Sequence, residues 1–202
     1  MVGRVAYAGE PGAFGEEACL ACFPYLQPVN LPDFAAVAAA IAAGAFIAGL
    51  IPVHNSCAGA VPGVSGLLKN PDLRIAGYHR LPVAIHCVGL PGARLDDVEE
   101  VHSHPVALRQ SGLFLASLDA VLVAASDTAG AAQHVARLAD PAIAALASAR
   151  AARIHGLAVL RANVSDHMEN VTTFAIVQRR RPHCMTSRAE RARTLFGQEG
   201  VT

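Results

Sequence analysis

The sequence predicts an α/β fold with mostly parallel sheets and a cleft lined by strand ends. Short apolar segments of strand length alternate along the chain with segments of helical composition. Polar residues follow directly where an apolar strand ends, most clearly in Ile51–Gly59, and ligands of parallel sheets bind at this edge. With 202 residues, 53 % of them hydrophobic, the chain can bury one good core or two small lobes that share a cleft.

The apolar segments and their Gly, Pro and polar boundaries place each element. The predicted strands are 4–9, 46–53, 73–88, 98–102, 120–124, 142–146, 157–160 and 174–178, and the predicted helices are 16–23, 33–44, 103–118, 126–139 and 148–154. Pro82 interrupts the longest strand, which suits a crossing between lobes with a hinge near 77–82. Ser103 is the predicted N-cap of its helix, with Pro105 near the first turn.

The loop 10–15 joins a strand to a helix N-terminus, where free backbone N–H groups attract anions. A substrate carboxylate could bind there, or the glycines could simply make a tight turn. The uncharged stretch 34–53 has the length of a membrane span. Gly44, Gly49 and Pro52 interrupt it, so a helix followed by a buried strand is the better prediction.

Composition narrows the class of partner. The formal net charge is zero and the isoelectric point is about 7.1, which does not favour nucleic acid or an anionic membrane. We therefore expect a small-molecule substrate. The five cysteines are scattered and do not resemble a disulfide framework, and the N-terminus lacks a secretory pattern, which predicts a cytoplasmic location. Cys19 and Cys22 have the spacing of a metal knuckle without a second pair, so we expect no metal.

Five segments, taken together, resemble the prephenate dehydratase domain in order and approximate spacing over residues 4–178. They are Gly9-Glu10-Pro11-Gly12-Ala13-Phe14, Ile51-Pro52-Val53-His54-Asn55-Ser56 with Gly59, Ser103-His104-Pro105 with Ala107-Leu108, Asp127-Thr128-Ala129-Gly130-Ala131-Ala132, and Asn170-Val171-Thr172-Thr173-Phe174. The resemblance implies a two-lobed fold like a type II periplasmic binding protein, prephenate in the interlobe cleft, a homodimer, and no cofactor.

The resemblance also implies the domain boundaries and the site. Lobe 1 is expected to comprise 1–79 with 163–180, and lobe 2 to comprise 80–162. The tail 181–202, with helical character over 188–196, is too short for the regulatory ACT domain of many members. The family's catalytic threonine corresponds to Thr172, and its Glu-Asn-Ser motif to His54, Asn55 and Ser56. The expected substrate-binding residues are Gly12, Ala13, Phe14, Ser56, Ser103, His104, Thr128, Ala129, Asn170, Thr173 and Phe174.

Four motif positions depart from the family pattern. His54 stands for a glutamate, Thr173 for an arginine and Val106 for a glutamine, and Ala60 lacks an arginine common in related sequences. Dehydration of prephenate must assist the leaving hydroxyl, for which a threonine with a neighbouring guanidinium is suited. If the hydroxyl is retained, decarboxylation leaves a ring carbon to be protonated, and a histidine can supply that proton near neutral pH.

The departures resemble the non-aromatising prephenate decarboxylases of bacilysin-type antibiotic biosynthesis. Decarboxylation to a dihydro-4-hydroxyphenylpyruvate is therefore the favoured prediction, with His54 handling the proton and Thr172 and Asn55 holding the retained hydroxyl. Helix N-termini near Gly12, Ser103 and Thr128 would replace the lost arginines. An ordinary dehydratase of phenylalanine biosynthesis and a non-catalytic protein that binds a small anion remain alternatives, and His54 could instead be a structural residue at the strand end.

Overall fold

A computed structural model describes residues 2–167 and 169–180, which form two mixed sheets with helices packed against them. The strands are β1 (Arg4–Ala8), β2 (Gln27–Leu31), β3 (Ala48–Asn55), β4 (Gly59–Ala60), β5 (Leu73–Pro82), β6 (His86–Gly89), β7 (Glu100–Ser103), β8 (Val121–Ala124), β9 (Ile143–Ala147), β10 (Ala158–Arg161) and β11 (Val171–Arg179). The helices are α1 (Phe14–Cys22), α2 (Phe34–Ala42), α3 (Val64–Leu67), α4 (Pro105–Arg109), α5 (Gly112–Leu115), α6 (Thr128–Leu138) and α7 (Ala149–Ile154), with a 3-10 turn at Leu95–Asp97.

The first sheet has the strand order β2-β1-β3-β11-β5, with β4 beside β3, and the second has the order β10-β6-β9-β7-β8. The α/β class is confirmed. The sheets are mixed rather than mostly parallel, because β11 runs antiparallel to both β3 and β5, and β6 runs antiparallel to β9 and β10. The chain leaves the first sheet at the end of β5 and returns beside it, so the returning strand must run in the opposite direction.

The crossing between the sheets is short. β5 continues through residues 77–82, where a hinge was expected, and the crossing occupies residues 83–85. The Val83 N–H donates to the Asn170 carbonyl oxygen at 2.7 Å, and the Val164 N–H donates to the Ile85 carbonyl oxygen at 2.8 Å. The outgoing and returning chains are therefore hydrogen-bonded to each other. We propose that each sheet is the centre of one of the two predicted lobes.

The two sheets share a hydrophobic cluster. Tyr7 and Leu50 of the first sheet belong to the same buried cluster as Val88 and Ala145 of the second, and the α6 residue Val135 lies in it as well. A separate cluster fills the opposite face of the first sheet, beneath α2 and α3. Burying apolar surface across the two sheets is the main force that holds them together.

The predicted stretch 34–53 divides as expected. α2 begins after Asp33, whose side chain accepts a hydrogen bond from the Ala36 N–H at 2.7 Å, and β3 follows. Within residues 2–167 and 169–180, no helix has the length and apolar character needed to cross a bilayer. The predictions for 181–202 lie outside the described residues.

The predicted helix 103–118 is wrong as a single helix, because the chain forms α4 and α5 with a break at Gln110 and Ser111. Ser103 is the last residue of β7 and does not cap α4. Its hydroxyl is buried and donates to the Leu146 carbonyl oxygen at 2.7 Å. His104 is the N-cap, and its Nδ1 accepts from the Val106 N–H at 3.2 Å. Strand β2 was not predicted, since Pro28 within it is unfavourable except at a sheet edge.

Candidate active site

The candidate site lies where strand ends of the two sheets approach each other. β1 and β3 are parallel neighbours, so the loop after β1 and the end of β3 lie at one edge of the first sheet. The second sheet presents the ends of β7, β8 and β9, which are likewise parallel. Side-chain hydrogen bonds connect these edges, among them those from Ser148 Oγ to the Gly12 carbonyl oxygen at 2.8 Å and from Gln110 Nε2 to Asn55 Oδ1 at 3.0 Å.

A β-bulge decides which side chains face the second sheet. On β11, Thr173 pairs with His54 and Phe174 pairs with Pro52, so Val53 has no opposite residue. A bulge of this kind changes the direction of the side chains that follow it. Since neighbouring residues on a strand point to opposite faces, Asn55 shares a face with its partner Thr172, and His54 lies on the other face with Thr173.

The Asn55 side chain holds the Thr172 hydroxyl. Asn55 Oδ1 accepts hydrogen bonds from the backbone N–H groups of Cys57 and Ala58 at 3.0 and 2.9 Å. Backbone N–H groups can only donate, so the orientation of the amide is determined by its surroundings. Asn55 Nδ2 therefore donates to Thr172 Oγ1, at 3.0 Å. These two predicted catalytic residues are brought together.

Gln110 is a site residue that the sequence analysis missed. It lies just after α4, is 7 % exposed, and hydrogen-bonds both Asn55 and Asn170. Val106 was noted as a lost glutamine, but one helical turn later Gln110 supplies an amide to the cleft. Gln110 caps the C-terminus of α4 four positions after Val106, and this one-turn spacing was the available signal.

Ser56 positions the start of β11. Its hydroxyl accepts from the Val171 N–H at 2.9 Å and donates to the Glu169 carbonyl oxygen at 3.2 Å, and its own N–H donates to the Val171 carbonyl oxygen at 2.9 Å. These bonds place Thr172 next to Asn55. The substrate-binding role predicted for Ser56 stays a prediction.

The Gly12 N–H group, near which a substrate carboxylate was predicted to bind, already has a partner within the chain. The Gly12 N–H donates to the Glu16 carboxylate at 2.7 Å, and Glu16 also binds Arg150 at 2.9 Å. Burial alone would raise the pKa of Glu16, but the hydrogen bonds from Arg150 and Gly12 lower it below its usual value. The Gly12 N–H group therefore already donates its hydrogen bond to a carboxylate of the chain itself. Ala13 is buried and Phe14 is half-buried, and both pack in or against the shared hydrophobic cluster.

Several other expected substrate-binding residues have structural contacts. Phe174 is 3 % exposed and belongs to the core, because its side chain lies in the cluster that the two sheets share. Ser103 is fully buried and bonded as described above. Ala129 is also fully buried, and the α6 N-terminus that it shares with Thr128 is capped by Asp127, whose Oδ1 accepts from the Gly130 N–H at 2.8 Å. Residues of these motifs thus build strand ends and caps, and the substrate-binding roles predicted for them stay predictions.

His104 remains at the edge of the candidate site as a half-buried N-cap. Burial lowers the pKa of its imidazole, with Asp127 opposing that shift and Arg109 adding to it. The neutral ring suits its role as hydrogen-bond acceptor for the Val106 N–H. A surface cavity of about 500 Å³ is lined by residues of α2 and by Gly66, Leu67, Lys69 and Asn70. Neither Asn55 nor Thr172 lines it.

Comparisons with known proteins connect this geometry to a family. The family model described as prephenate dehydratase matches residues 5–182. A bifunctional N-acyl-homoserine lactone acylase/prephenate dehydratase of Komagataeibacter europaeus is 38 % identical over 177 residues, which cover 87 % of this chain and 63 % of the relative. Arogenate dehydratase/prephenate dehydratase 1 of Arabidopsis thaliana, described as chloroplastic, is 36 % identical, with 97 % of this chain and 50 % of the relative covered.

A solved structure supports the same family. The prephenate dehydratase of Arthrobacter aurescens, in complex with L-Phe, superposes with a TM-score of 0.81 at 25 % identity, covering 89 % of this chain and 61 % of that one. The chain thus spans between about half and two thirds of the length of these relatives. With a matching α/β fold, an Asn–Thr pair at the end of β3 and a family match over nearly all described residues, this chain belongs to the prephenate dehydratase family.

Proposed function

We propose that the chain is a lyase that removes carbon dioxide and the ring hydroxyl together from prephenate or arogenate. The observation that carries this proposal is the hydrogen bond from Asn55 Nδ2 to Thr172 Oγ1 at 3.0 Å. Since Thr172 Oγ1 accepts a hydrogen bond from Asn55, the hydroxyl proton of Thr172 must be donated to a different group. Within residues 2–167 and 169–180, no side chain or carbonyl accepts it. The hydroxyl of a substrate in the cleft is a suitable acceptor.

The chemistry then balances without a cofactor. The bond from the ring to its carboxylate breaks, carbon dioxide leaves, and the released electron pair forms a ring double bond. The carbon–oxygen bond of the 4-hydroxyl breaks with its electron pair, and the Thr172 proton converts the departing hydroxide into water. A threonine hydroxyl is a weak acid, so donors that stabilise the developing oxygen charge are needed. Asn55 supplies one such donor, and the threonine regains its proton from solvent.

Non-aromatising decarboxylation, the prediction favoured from the sequence, is the second candidate. In it the same carbon–carbon bond breaks, a ring carbon takes up a proton, and the hydroxyl stays. The replacement of the motif arginine by Thr173 still favours it. The position of His54, the proton donor proposed for this reaction, does not favour it. His54 is exposed, and its pairing with Thr173 puts it on the face of the sheet opposite Thr172. The dehydratase chemistry needs only groups on the cleft face.

Incubation of the purified protein with prephenate, and separately with arogenate, tests the proposal. We expect phenylpyruvate from prephenate or phenylalanine from arogenate, identified by absorbance and mass. A product that keeps the hydroxyl and lacks the aromatic absorbance would instead establish the decarboxylase. Binding without turnover, measured by calorimetry, would support a non-catalytic protein that holds a small anion.

The context of the activity is also a proposal. The named activities of the relatives support a place in aromatic amino-acid biosynthesis rather than in antibiotic formation. The homodimer implied by the resemblance is tested by light scattering coupled to size-exclusion chromatography, where a mass near twice 20.9 kDa is expected. The cytoplasmic location stays a prediction.

A further inference from the structure

Three side-chain amides form a closed ring of hydrogen bonds beside Thr172. Asn55 Nδ2 donates to Asn170 Oδ1 at 2.7 Å, Asn170 Nδ2 donates to Gln110 Oε1 at 2.9 Å, and Gln110 Nε2 donates to Asn55 Oδ1 at 3.0 Å. Each amide thus gives one hydrogen bond and receives one within the ring. Asn170 is 5 % exposed and Gln110 is 7 % exposed, so water has little access to replace these bonds.

The ring has only one possible direction. Cys57 and Ala58 present two backbone N–H groups to Asn55, which must turn its oxygen towards them. Its nitrogen then faces Asn170, whose oxygen must accept, so the Asn170 nitrogen is left to donate to Gln110. The Gln110 nitrogen in turn donates to Asn55. Hydrogen bonds linked in this way strengthen one another in a low-dielectric environment.

The ring also joins the two sheets at the site. Asn55 and Asn170 belong to segments of the first sheet, whereas Gln110 follows α4, a helix attached to the second. The backbone carbonyl of Asn170 accepts from the Val83 N–H at 2.7 Å, at the crossing between the sheets. Asn170 is therefore held at both its backbone and its side chain.

We propose that Asn170 is a positioning residue, which closes the amide ring and thereby keeps Asn55 turned so that the Thr172 hydroxyl receives its hydrogen bond and directs its own proton at the substrate. Asn170 acts through Asn55 and need not touch the substrate. The expected effect of Asn170 on the reaction rate rests on the proposed function. The existence of the amide ring rests only on the hydrogen bonds given above.

The substitution Asn170→Asp tests the ring with almost no change in shape. An ionised carboxylate accepts from Asn55 but cannot donate to Gln110, so the ring opens. Loss of one such hydrogen bond should lower kcat about tenfold at pH 7, with KM within about twofold of the wild type because substrate contacts are unchanged. Once protonated, the introduced carboxyl again donates and accepts, so kcat should recover as the pH falls, in an ionisation that the wild type lacks.

Asn70→Asp is the matched control. Asn70 is half-buried, and its side-chain oxygen only accepts, from the Asp72 N–H at 2.9 Å. This variant adds the same charge without removing a donor that the structure uses. Its kcat and pH profile should match the wild type.

The ring can be observed without turnover. In nuclear magnetic resonance spectra of labelled protein, the side-chain amide signals of Gln110 and Asn55 should shift in Asn170→Asp at pH 7 and return at low pH. If the wild type shows no turnover but these signals behave as described, the proposed function fails and the ring stands. If Asn170→Asp does not fold, Gln110→Glu opens the ring at its link to Asn55 and should show the same pH-dependent recovery.

Three results would overturn the proposal. One is a kcat loss that persists at every pH, and another is a raised KM with unchanged kcat, which would make Asn170 a substrate-binding residue. The third is an unaltered Gln110 amide signal in a folded Asn170→Asp variant, which would show that the hydrogen bond is absent in solution.

Discussion

Thr173 on β11 lies directly opposite His54 on β3. These are two of the positions at which the chain departs from the family motifs, where a glutamate and an arginine were expected. Opposite charges placed directly across two antiparallel strands attract each other. The two departures therefore occupy one cross-strand pair, on the face of the sheet away from Thr172.

Restoring the charged pair should change stability rather than catalysis. The double variant His54→Glu/Thr173→Arg should raise the free energy of unfolding by about 0.2–1 kcal/mol relative to the sum of the two single variants. Denaturant titration of the wild type, both single variants and the double variant gives this coupling energy. The rate with prephenate should stay within about twofold of the wild type, because proton transfer requires a group within hydrogen-bond reach.

A large effect on the rate would reverse this interpretation. If His54→Gln lowered kcat by about two orders of magnitude, as expected for a proton donor, the imidazole would have to reach the reacting ring. The non-aromatising decarboxylase would then be the better description. His134→Gln, in α6, is a suitable histidine control, since that ring contacts Arg137 and His102 and has no place in the amide network.

The orientation of His54 could not be predicted from the sequence, although the pairing of Asn55 with Thr172 could. Motif order indicated that Asn55 follows the end of an apolar strand and that Thr172 precedes the last strand, and in an antiparallel pair the end of one strand lies beside the start of the other. The direction of each side chain depends on the unpaired residue Val53, and a bulge of one residue reverses the face of all that follow. Nothing in the spacing of the motif reveals that extra residue.

The Thr172 hydroxyl should be essential for the rate and dispensable for the fold. Thr172→Val keeps the shape but removes the proton donor, and we expect kcat to fall by about two to four orders of magnitude. Thr172→Ser keeps the hydroxyl and should retain most of the activity. Steady-state kinetics with prephenate measures both. Substantial turnover by the valine variant would mean that another group protonates the leaving hydroxyl.

The anion site predicted at Gly12 shows a second limit of sequence analysis. The loop after β1 does lead into a helix N-terminus, as predicted. The partner of its N–H group is Glu16, four residues later, and this carboxylate is held in place by Arg150 from a distant part of the chain. Local sequence indicates that a helix N-terminus attracts an anion, but only the tertiary contacts show which anion is present.

The Glu16–Arg150 pair should contribute stability that is lost in acid. Folding lowers the pKa of Glu16 below the ordinary value of 4.5, so the contribution is fully present above that value and disappears as the pH falls through the folded-state pKa. Glu16→Gln should destabilise the protein by about 1–3 kcal/mol at pH 7, with a difference that narrows below about pH 4. Denaturant titration at several pH values measures this. A constant difference between the variants down to pH 3 would rule out the pair as the source.

Gly12→Ala should destabilise the contact between the two sheets. Gly12 has a φ of +94°, and an added Cβ would lie 2.5 Å from the Ala151 Cα atom. The left-handed backbone and the collision with the backbone of α7 together should cost at least about 2 kcal/mol. Gly66→Ala is the control, since Gly66 lies in α3 with nothing within 4 Å of an added Cβ, and alanine there should be neutral or stabilise by up to about 1 kcal/mol.

Comparison of the two glycine variants separates close packing from a general intolerance of substitution. Because the Gly12 carbonyl also accepts the Ser148 hydroxyl, displacement of this loop should loosen the sheets near the site as well as lower stability. Hydrogen exchange of the Ala151 N–H, which is buried and bonded to Ser148 Oγ at 2.9 Å, should therefore accelerate in Gly12→Ala and not in Gly66→Ala. Equal protection in both variants would show that the loop adjusts without moving α7, and that the glycine is required only for the turn.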